Sequence, residues 1–425
     1  MEERINVIGG GFAGSEAALT LSSFGLPVKI IEKRPDPSMS HFNNSSGFAY
    51  PVCSNSFKSV EIKNAHGLLK GELSVMRSSV LKEAIKAKVK AGKALAVDRD
   101  IFSASVRKNA ENRKNIELAK RDAGREDIGE NTIIATGPFS SDAILNYIKE
   151  KTGKEFFHFI DSVSPIISRE SINFNKCFIA SRYNEGTDYV NCPMTRDEFD
   201  VFYDALINAE KVLFDDTDKE QFFSACMPVE EVALYGKRAL VFGIMKPIGF
   251  DKKYFAVVQL RNENKNGTML NIVGFQTRLK WGEQKRVISM IPGLENAKIM
   301  RYGVMHRNPY IDSPFCLGEN LELKSENGIF IAGQITGSEG YMEAVLTGLY
   351  AGLSVYCKIK HKEITLPPET TMSGSLLRYI LRSEKPISPM NANFGLLKVY
   401  NKKDKIFFAK KALRDIYEWY NETTH

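Results

Sequence analysis

An apolar run, Ile5-Asn6-Val7-Ile8, enters Gly9-Gly10-Gly11-Phe12-Ala13-Gly14 and is followed by a stretch with helical spacing. A second apolar run, Val28-Lys29-Ile30-Ile31, ends in Glu32. The pattern predicts strand, glycine loop, helix, strand. Residues 59–92 are mostly helical in pattern. Ile133-Ile134-Ala135-Thr136-Gly137-Pro138 predicts a short buried strand that ends in a glycine turn and returns to the same sheet. From about 150 to 320 the texture changes. Strand-like pieces (Leu240 to Gly243, Tyr254 to Leu260, Leu270 to Phe275) alternate with helical stretches such as 196–210, which reads as an inserted α+β domain. Gly328 to Gly337 is again a strand meeting a glycine turn, and Tyr341 to about Val355 has helical spacing. Residues 404–420 predict a terminal helix with Ile406, Ala409, Leu413, Ile416, Tyr417 and Tyr420 on one face. Lys402, Lys403, Lys405, Lys410, Lys411 and Arg414 give it a cationic side. The fold class is α/β, with a Rossmann-type domain built from both chain ends (1–150 and 321–397). The inserted domain is 151–320, and a basic helix, 398–425, closes the chain.

Gly9-x-Gly11-x-x-Gly14 between strand and helix carries a specific chemistry. Gly9 permits the tight turn, Gly11 lets backbone approach a pyrophosphate, and Gly14 lets helix and strand pack closely. The helix N-terminus offers free N–H groups to phosphates. Glu32, 18 residues beyond Gly14, stands where a ribose-binding acid belongs. A bound dinucleotide follows, because a bare glycine turn does not account for Glu32. The late strand and glycine turn at 328–337 is the kind that closes a flavin site.

The chain has 425 residues, 43% hydrophobic and 26% charged, with net charge +7. That is ordinary for a globular protein of two or three domains. No apolar run is long enough for a membrane helix. The chain opens on a strand rather than a leader pattern. The six cysteines include no CxxC pair, which excludes a zinc knuckle or short redox dithiol. No metal site is expected, and a reduced, cytoplasmic protein is. The positive charge suits a polyanionic partner without requiring one.

Two cysteines stand out by context. Cys53 lies in the polar Val52-Cys53-Ser54-Asn55-Ser56, and Cys226 follows a hydrophobic stretch and precedes Met227-Pro228. Either thiolate is a nucleophile if its pKa is depressed or a base is near; most free cysteines are simply small buried hydrophobes. The basic stretch Arg278-Leu279-Lys280-Trp281-Gly282-Glu283-Gln284-Lys285-Arg286 reads either as a phosphate-binding run with a stacking Trp281, or as a charged helix start. Arg301 to Asn308 is also basic; within it His306 is either a hydrogen-bonded structural residue or a catalyst, beside Arg307. Asp98 and Arg99 are read as a pair at a strand end. The terminal helix either docks with a solvated outer face or contacts RNA.

Together these segments resemble a known family, the folate- and FAD-dependent tRNA (uracil-5-)-methyltransferases called TrmFO, relatives of the GidA tRNA-modification flavoproteins. The resemblance runs to about residue 397. It rests on Val7 to Ala18, Val52 to Ser56, Ala94 to Arg99, Thr132 to Pro138, Asn191 to Thr195, Cys226 to Glu230, Asn271 to Gln276, Leu279 to Arg286, Arg301 to Asn308, Gly333 to Tyr341 and Pro389 to Gly395.

The resemblance implies that the dinucleotide is FAD, held by Gly9, Gly10, Gly11, Phe12, Ala13, Gly14, Glu32, Asn55, Ser56, Thr136, Gly137, Gly333, Gln334, Gly337 and Tyr341. It implies a chemistry in which a thiolate adds to uracil C6, so that C5 becomes enolate-like and attacks a one-carbon electrophile. Methylenetetrahydrofolate supplies the carbon by way of the flavin, and reduced flavin supplies the hydride that completes the methyl group. NAD(P)H then reduces the flavin again. Cys226 and Cys53 fall on the functional cysteines, Cys226 as nucleophile and Cys53 as helper, or the reverse. RNA would be held by Arg278, Lys280, Trp281, Lys285, Arg286, His306 and Arg307.

The chain departs from the family beside Cys53. Tyr50, Pro51 and Lys58 stand where relatives carry Glu, Leu and Arg, and only His41 remains of a pair of histidines. The departure leaves two RNA substrates open, the T-loop uridine of tRNA and a uridine of 23S rRNA. A flavin oxidoreductase with no RNA substrate is the reading from another class.

Overall fold

In the computed structural model, residues 4–33, 48–212, 227–384, 386–398 and 404–425 are described. The first strand, Ile5–Ile8, pairs in parallel with Val28–Glu32 on one side and with Thr132–Ile134 on the other. Ile329–Ile331 and Ile116–Lys120 add the outer strands, giving a five-stranded parallel sheet. Val7, Ile30, Ile133 and Phe330 are fully buried. A parallel sheet covered on both faces reads as near-continuous apolar runs, which is why these strands were visible as such. The late strand Ile329–Ile331 joins a sheet begun by residue 5, so the chain ends build one unit.

Two helices cover this sheet at a close crossing. Phe12–Ser23 packs against Tyr341–Ile359, a helix buried along most of its length. A Cβ on Gly348 would lie 2.1 Å from the carbonyl oxygen of Ala13, and one on Gly352 would lie 3.1 Å from that of Ala17. Glycine at these positions lets the two backbones touch. The same layer is tied by two buried carboxylates at helix starts. Glu16 accepts from Ser79 N and Val80 N, and Glu72 from Met372 N and Ser373 N. Each satisfies orphan N–H groups of a neighbouring helix.

The middle of the chain forms a six-stranded antiparallel sheet in the order 178–179, 189–194, 256–262, 269–272, 166–168, 299–301. Its core, with Phe199, Phe202 and Leu206 of the helix Arg196–Ile207, is separate from that of the parallel sheet. A two-stranded ribbon, Phe157–Ser162 with Met305–Tyr310, and a three-stranded sheet of Ser56–Ser59, Ala94–Val97 and Lys88–Val89 accompany the two large sheets.

Two expectations are corrected. Leu240 to Gly243 is not a strand: Lys237–Val241 is a short helix after Gly236, with Leu240 buried and Phe242 72% exposed. A four-residue apolar run does not distinguish the two periods. The terminal helix, Lys405–Thr424, is present but rotated from the expected face. Ala409, Ala412, Ile416, Trp419 and Tyr420 are buried, while Ile406 and Tyr417 are more than half exposed. Trp419 Nε1 donates to Thr365 O at 3.1 Å, and the small alanines let the helix approach Ala65–Val75. The helix therefore docks, with Lys405, Lys410 and Arg414 on its outer side. Lys402 and Lys403 lie outside the described residues.

The helix crossing makes a clear prediction. Gly348→Ala should lower the unfolding free energy by about 2 kcal/mol, the cost of forcing a methyl into a packed contact. Gly282→Ala, where a Cβ meets nothing within 4 Å, should leave stability unchanged or slightly raised. Urea unfolding of the two variants compares them; equal midpoints would contradict the account of the crossing.

Candidate active site

Three loops leave the carboxyl ends of adjacent parallel strands and meet at one cavity of about 240 Å³. Gly11, Phe12 and Ala13 come from the loop after the first strand, Thr136 and Gly137 from the one after Thr132–Ile134, and Gly333 and Gln334 from the one after Ile329–Ile331. Such a crevice is where open α/β sheets bind ligands. Gly9 has φ +99°, and a Cβ there would lie 2.6 Å from Ala135 O. Gly14 packs on Gly9, with only 1.8 Å from a hypothetical Cβ to Gly9 O. Glu32 is buried, and its Oε2 accepts from Gly10 N at 2.7 Å. No side chain caps the helix that starts at Phe12, and its first turn holds no acid. That combination leaves its positive end available to a phosphate.

The cavity wall opposite the glycine loop carries the chemistry. Cys53, Ser54 and Ser56 line it on one side, with Asp161 and Asn308 from the two strands of the ribbon. The Cys53 thiol donates to Asp161 Oδ2. Among the described residues Asp161 Oδ1 and Asn308 Nδ2 are buried without a hydrogen-bond partner, one acceptor and one donor beside a space lined in part by aromatic and glycine residues. Buried polar groups in folded proteins are ordinarily satisfied, so this pair fits the polar edge of a bound ring system. The glycine cradle, the acid at the second strand and this pair fit an FAD.

Tyr341 holds the Cys53 loop in place. Its hydroxyl oxygen accepts from Cys53 N at 2.8 Å and from Ser54 N at 3.2 Å, and its ring stacks on Phe12 with centroids 4.6 Å apart. From the other side Arg99, buried and ion-paired with Glu263, donates to Pro51 O at 2.6 Å. The expected pairing of Arg99 with Asp98 is thereby corrected. Asp98 instead caps the helix Arg99–Glu111 through Ile101 N and accepts from Lys265 N.

Burial first, and then the Asp161 carboxylate, push the Cys53 thiol well above its ordinary pKa. Burial, followed by the charge of Asp161, raises Glu339 to about 8. Burial would raise Glu343 too, but the His66 hydrogen bond and the Lys58 charge bring it down to about 2. The site at neutral pH therefore holds a protonated thiol beside a carboxylate. These surroundings disfavour a resting thiolate at Cys53.

Other expected residues lie elsewhere. Asn55 is fully buried outside the cavity. Its Nδ2 donates to Asn262 O at 3.0 Å and its Oδ1 accepts from Arg261 Nη2 at 2.9 Å, so it joins the first half of the chain to the antiparallel sheet. Gly337, at φ +81°, ends the turn after Gln334. Cys226 lies outside the described residues. Three residues on, Val229 N donates to O of Gln276, which lines the cavity.

The basic run divides. Arg278 is buried and paired with Glu231 at 2.8 Å, so it is an internal residue rather than a phosphate ligand. Lys280 pairs with Glu210 and Arg286 with Glu283, both at the surface, where such pairs exchange at little cost. Lys285 is exposed. Trp281 is half exposed and stacked on Tyr302, centroids 5.2 Å apart. Arg307 contacts His158, and the His306 side chain lies outside what is described. Asp161, Asn308 and Glu339 were not singled out from sequence. Only Glu339 and Asn308 fall within quoted motifs.

Comparison with known proteins places this geometry. The family model described as glucose inhibited division protein A matches residues 4–363. A Fervidobacterium nodosum protein named methylenetetrahydrofolate–tRNA-(uracil-5-)-methyltransferase TrmFO is 48% identical over 431 residues, covering 100% of this chain and 99% of that protein. Its namesake from Thermosipho melanesiensis is 47% identical over 410 residues, covering 94% and 95%. Among solved structures, Aquifex aeolicus GidA (form II crystal) superposes with TM-score 0.71 at 16% identity over 98% of this chain and 75% of that one. That likeness shows the shared fold. Among the described residues no helix is long and apolar enough to cross a membrane.

The thiol–carboxylate contact is testable without turnover. Asp161→Asn removes the charge that helps suppress ionisation of Cys53, so iodoacetamide should alkylate Cys53 faster at pH 8. Roughly tenfold is expected for each pKa unit recovered. Peptide mass spectrometry reads the rate at Cys53; an unchanged or slower rate would remove Asp161 from control of the thiol.

Proposed function

We propose, since the chain belongs to the TrmFO family within the GidA proteins, that it methylates C5 of a uridine in tRNA with FAD and methylenetetrahydrofolate. We further infer that NAD(P)H supplies the electrons. The observation that carries this reading is the Cys53 thiol, set with Asp161 in the wall of the cavity that the glycine loop opens. When bound, FAD supplies hydride chemistry and the folate supplies the carbon. Cys226 is the nucleophile: its thiolate adds to uracil C6, which makes C5 electron-rich enough to take up the carbon. The C5 proton then leaves to Cys53 Sγ, whose own proton has passed to Asp161. Loss of that proton would expel the amine that carried the carbon and leave an exocyclic methylene; hydride supplied with the cofactor would complete the methyl group as the C6–S bond breaks, re-forming the C5–C6 double bond and releasing the Cys226 thiolate. The high pKa of Cys53 supports this division of labour over the reverse. The names of the near-full-length relatives favour tRNA over 23S rRNA and over an oxidoreductase without RNA. Lys280, Lys285, Arg286, Trp281 and Arg307 are the side chains we assign to RNA contact.

The same reading divides the chain into a FAD-binding unit (1–150 and 321–397), an inserted unit (151–320) and a docked basic helix (398–425). Two separate hydrophobic cores support it.

The purified protein should carry flavin absorbance. With folate, reductant and tRNA it should form 5-methyluridine. Cys226→Ala and Cys53→Ala should each abolish product while keeping flavin; an active Cys226→Ala enzyme would overturn the mechanism. Mass mapping of RNA from a deletion strain should show 5-methyluridine lost from tRNA. Loss from 23S rRNA alone would replace the substrate.

A further inference from the structure

A second cavity, of about 330 Å³, shares the side chain of Tyr50 with the catalytic cavity. It lies where the antiparallel sheet (Ile166, Met269, Arg301) faces the start of the helix Arg99–Glu111. The proposed reaction makes no use of it. Its charged groups are mostly spent. Asp98 has both carboxylate oxygens engaged by backbone N–H groups of Ile101 and Lys265. Arg99 and Glu263 neutralise each other as an ion pair, although Nε and Nη2 of Arg99 and both carboxylate oxygens of Glu263 make no hydrogen bond among the described residues. Asp100 is exposed.

Arg301 differs from them in having no ion pair among the described residues. Its Nε and Nη2 are both buried and neither has a hydrogen-bond partner among the described residues. A buried guanidinium left so is costly, and among native structures such groups are uncommon. Burial, and behind it the neighbouring Arg99 charge, brings its pKa down to about 10, so it is still cationic at neutral pH. Nε and Nη2 together form one edge of the guanidinium plane, a fork that fits two oxygens of a carboxylate or phosphate. Trp281, half exposed and backed by Tyr302, also lines the cavity and presents an aromatic face.

We propose that this cavity is a binding site for an oxyanion carried next to an aromatic ring, with the Arg301 fork taking the oxyanion and Trp281 stacking on the ring. Two ligands of the proposed reaction have that chemistry, so the inference rests on that reading for its sources. One is the benzoyl-glutamate end of a folate. The other is a nucleotide of the substrate RNA.

The test uses the full-length, flavin-loaded protein and equilibrium dialysis with two probes, p-aminobenzoyl-glutamate and uridine 5′-monophosphate. At least one should bind, and Arg301→Gln should weaken it tenfold or more. Tyr50→Glu, which brings an internal carboxylate to the cavity wall, should do the same; it carries the test if Arg301→Gln fails to fold. Preference for the first probe assigns the cavity to folate, and preference for the second to RNA. Binding of neither, or binding that survives the folded variant, overturns the proposal. Neither outcome touches the methylation reading, which stands or falls on 5-methyluridine in tRNA.

Discussion

The carbonyl of Ala13 and the bare Cα of Gly348 occupy one contact, 2.1 Å from where a side chain would begin, and the rest of the cavity depends on it. That contact sets the distance between the helix after the glycine loop and the helix after the late glycine turn. With the helices this close, their first residues, Phe12 and Tyr341, stack ring on ring. The Tyr341 hydroxyl then reaches two backbone N–H groups of the Cys53 loop. A thiol near the start of the chain is thus oriented by a helix 288 residues later. The same geometry explains why the late strand Ile329–Ile331 must sit beside Thr132–Ile134: the parallel pairing delivers the second helix to the first.

What the sequence made legible follows from this. The glycine loop, its strand, its acid and the late turn were readable because each needs a residue type that few others can replace, such as glycine at φ +99°. Periodicity recovered the long helices for the same reason. Residues defined by what faces them were not readable. Asn55 sits in a polar loop beside Cys53 and resembled a ligand residue, yet its amide turns inward to Val97, Asn262 and Arg261. Arg278 belongs to a cationic run, yet its position before the helix Trp281–Ile288 turns it toward Glu231. Asp161 and Asn308 come from strands that meet only in the ribbon, so no local pattern marks them.

The departures beside Cys53 gain physical content from the same neighbours. Tyr50 is buried and separates two cavities, and Pro51 offers its carbonyl to Arg99. Lys58 sits in left-handed backbone at φ +63° on the catalytic cavity wall, where its charge lowers the pKa of Glu339 and Glu343. Strained residues of this kind persist where the surroundings over-determine them. The anchors of the loop are backbone groups, held by Tyr341 and Arg99, so they do not depend on its side chains.

Electrostatics then sets the state of Cys53. Asp161, Glu339 and the Cys53 thiol share one cavity, and like charges this close do not all ionise. Burial and the neighbouring Asp161 carboxylate push the Cys53 thiol well up and raise Glu339 to about 8, so both hold their protons at neutral pH. That cavity is a poor environment for a standing thiolate. In this chain the surroundings of Cys53 keep its sulfur protonated.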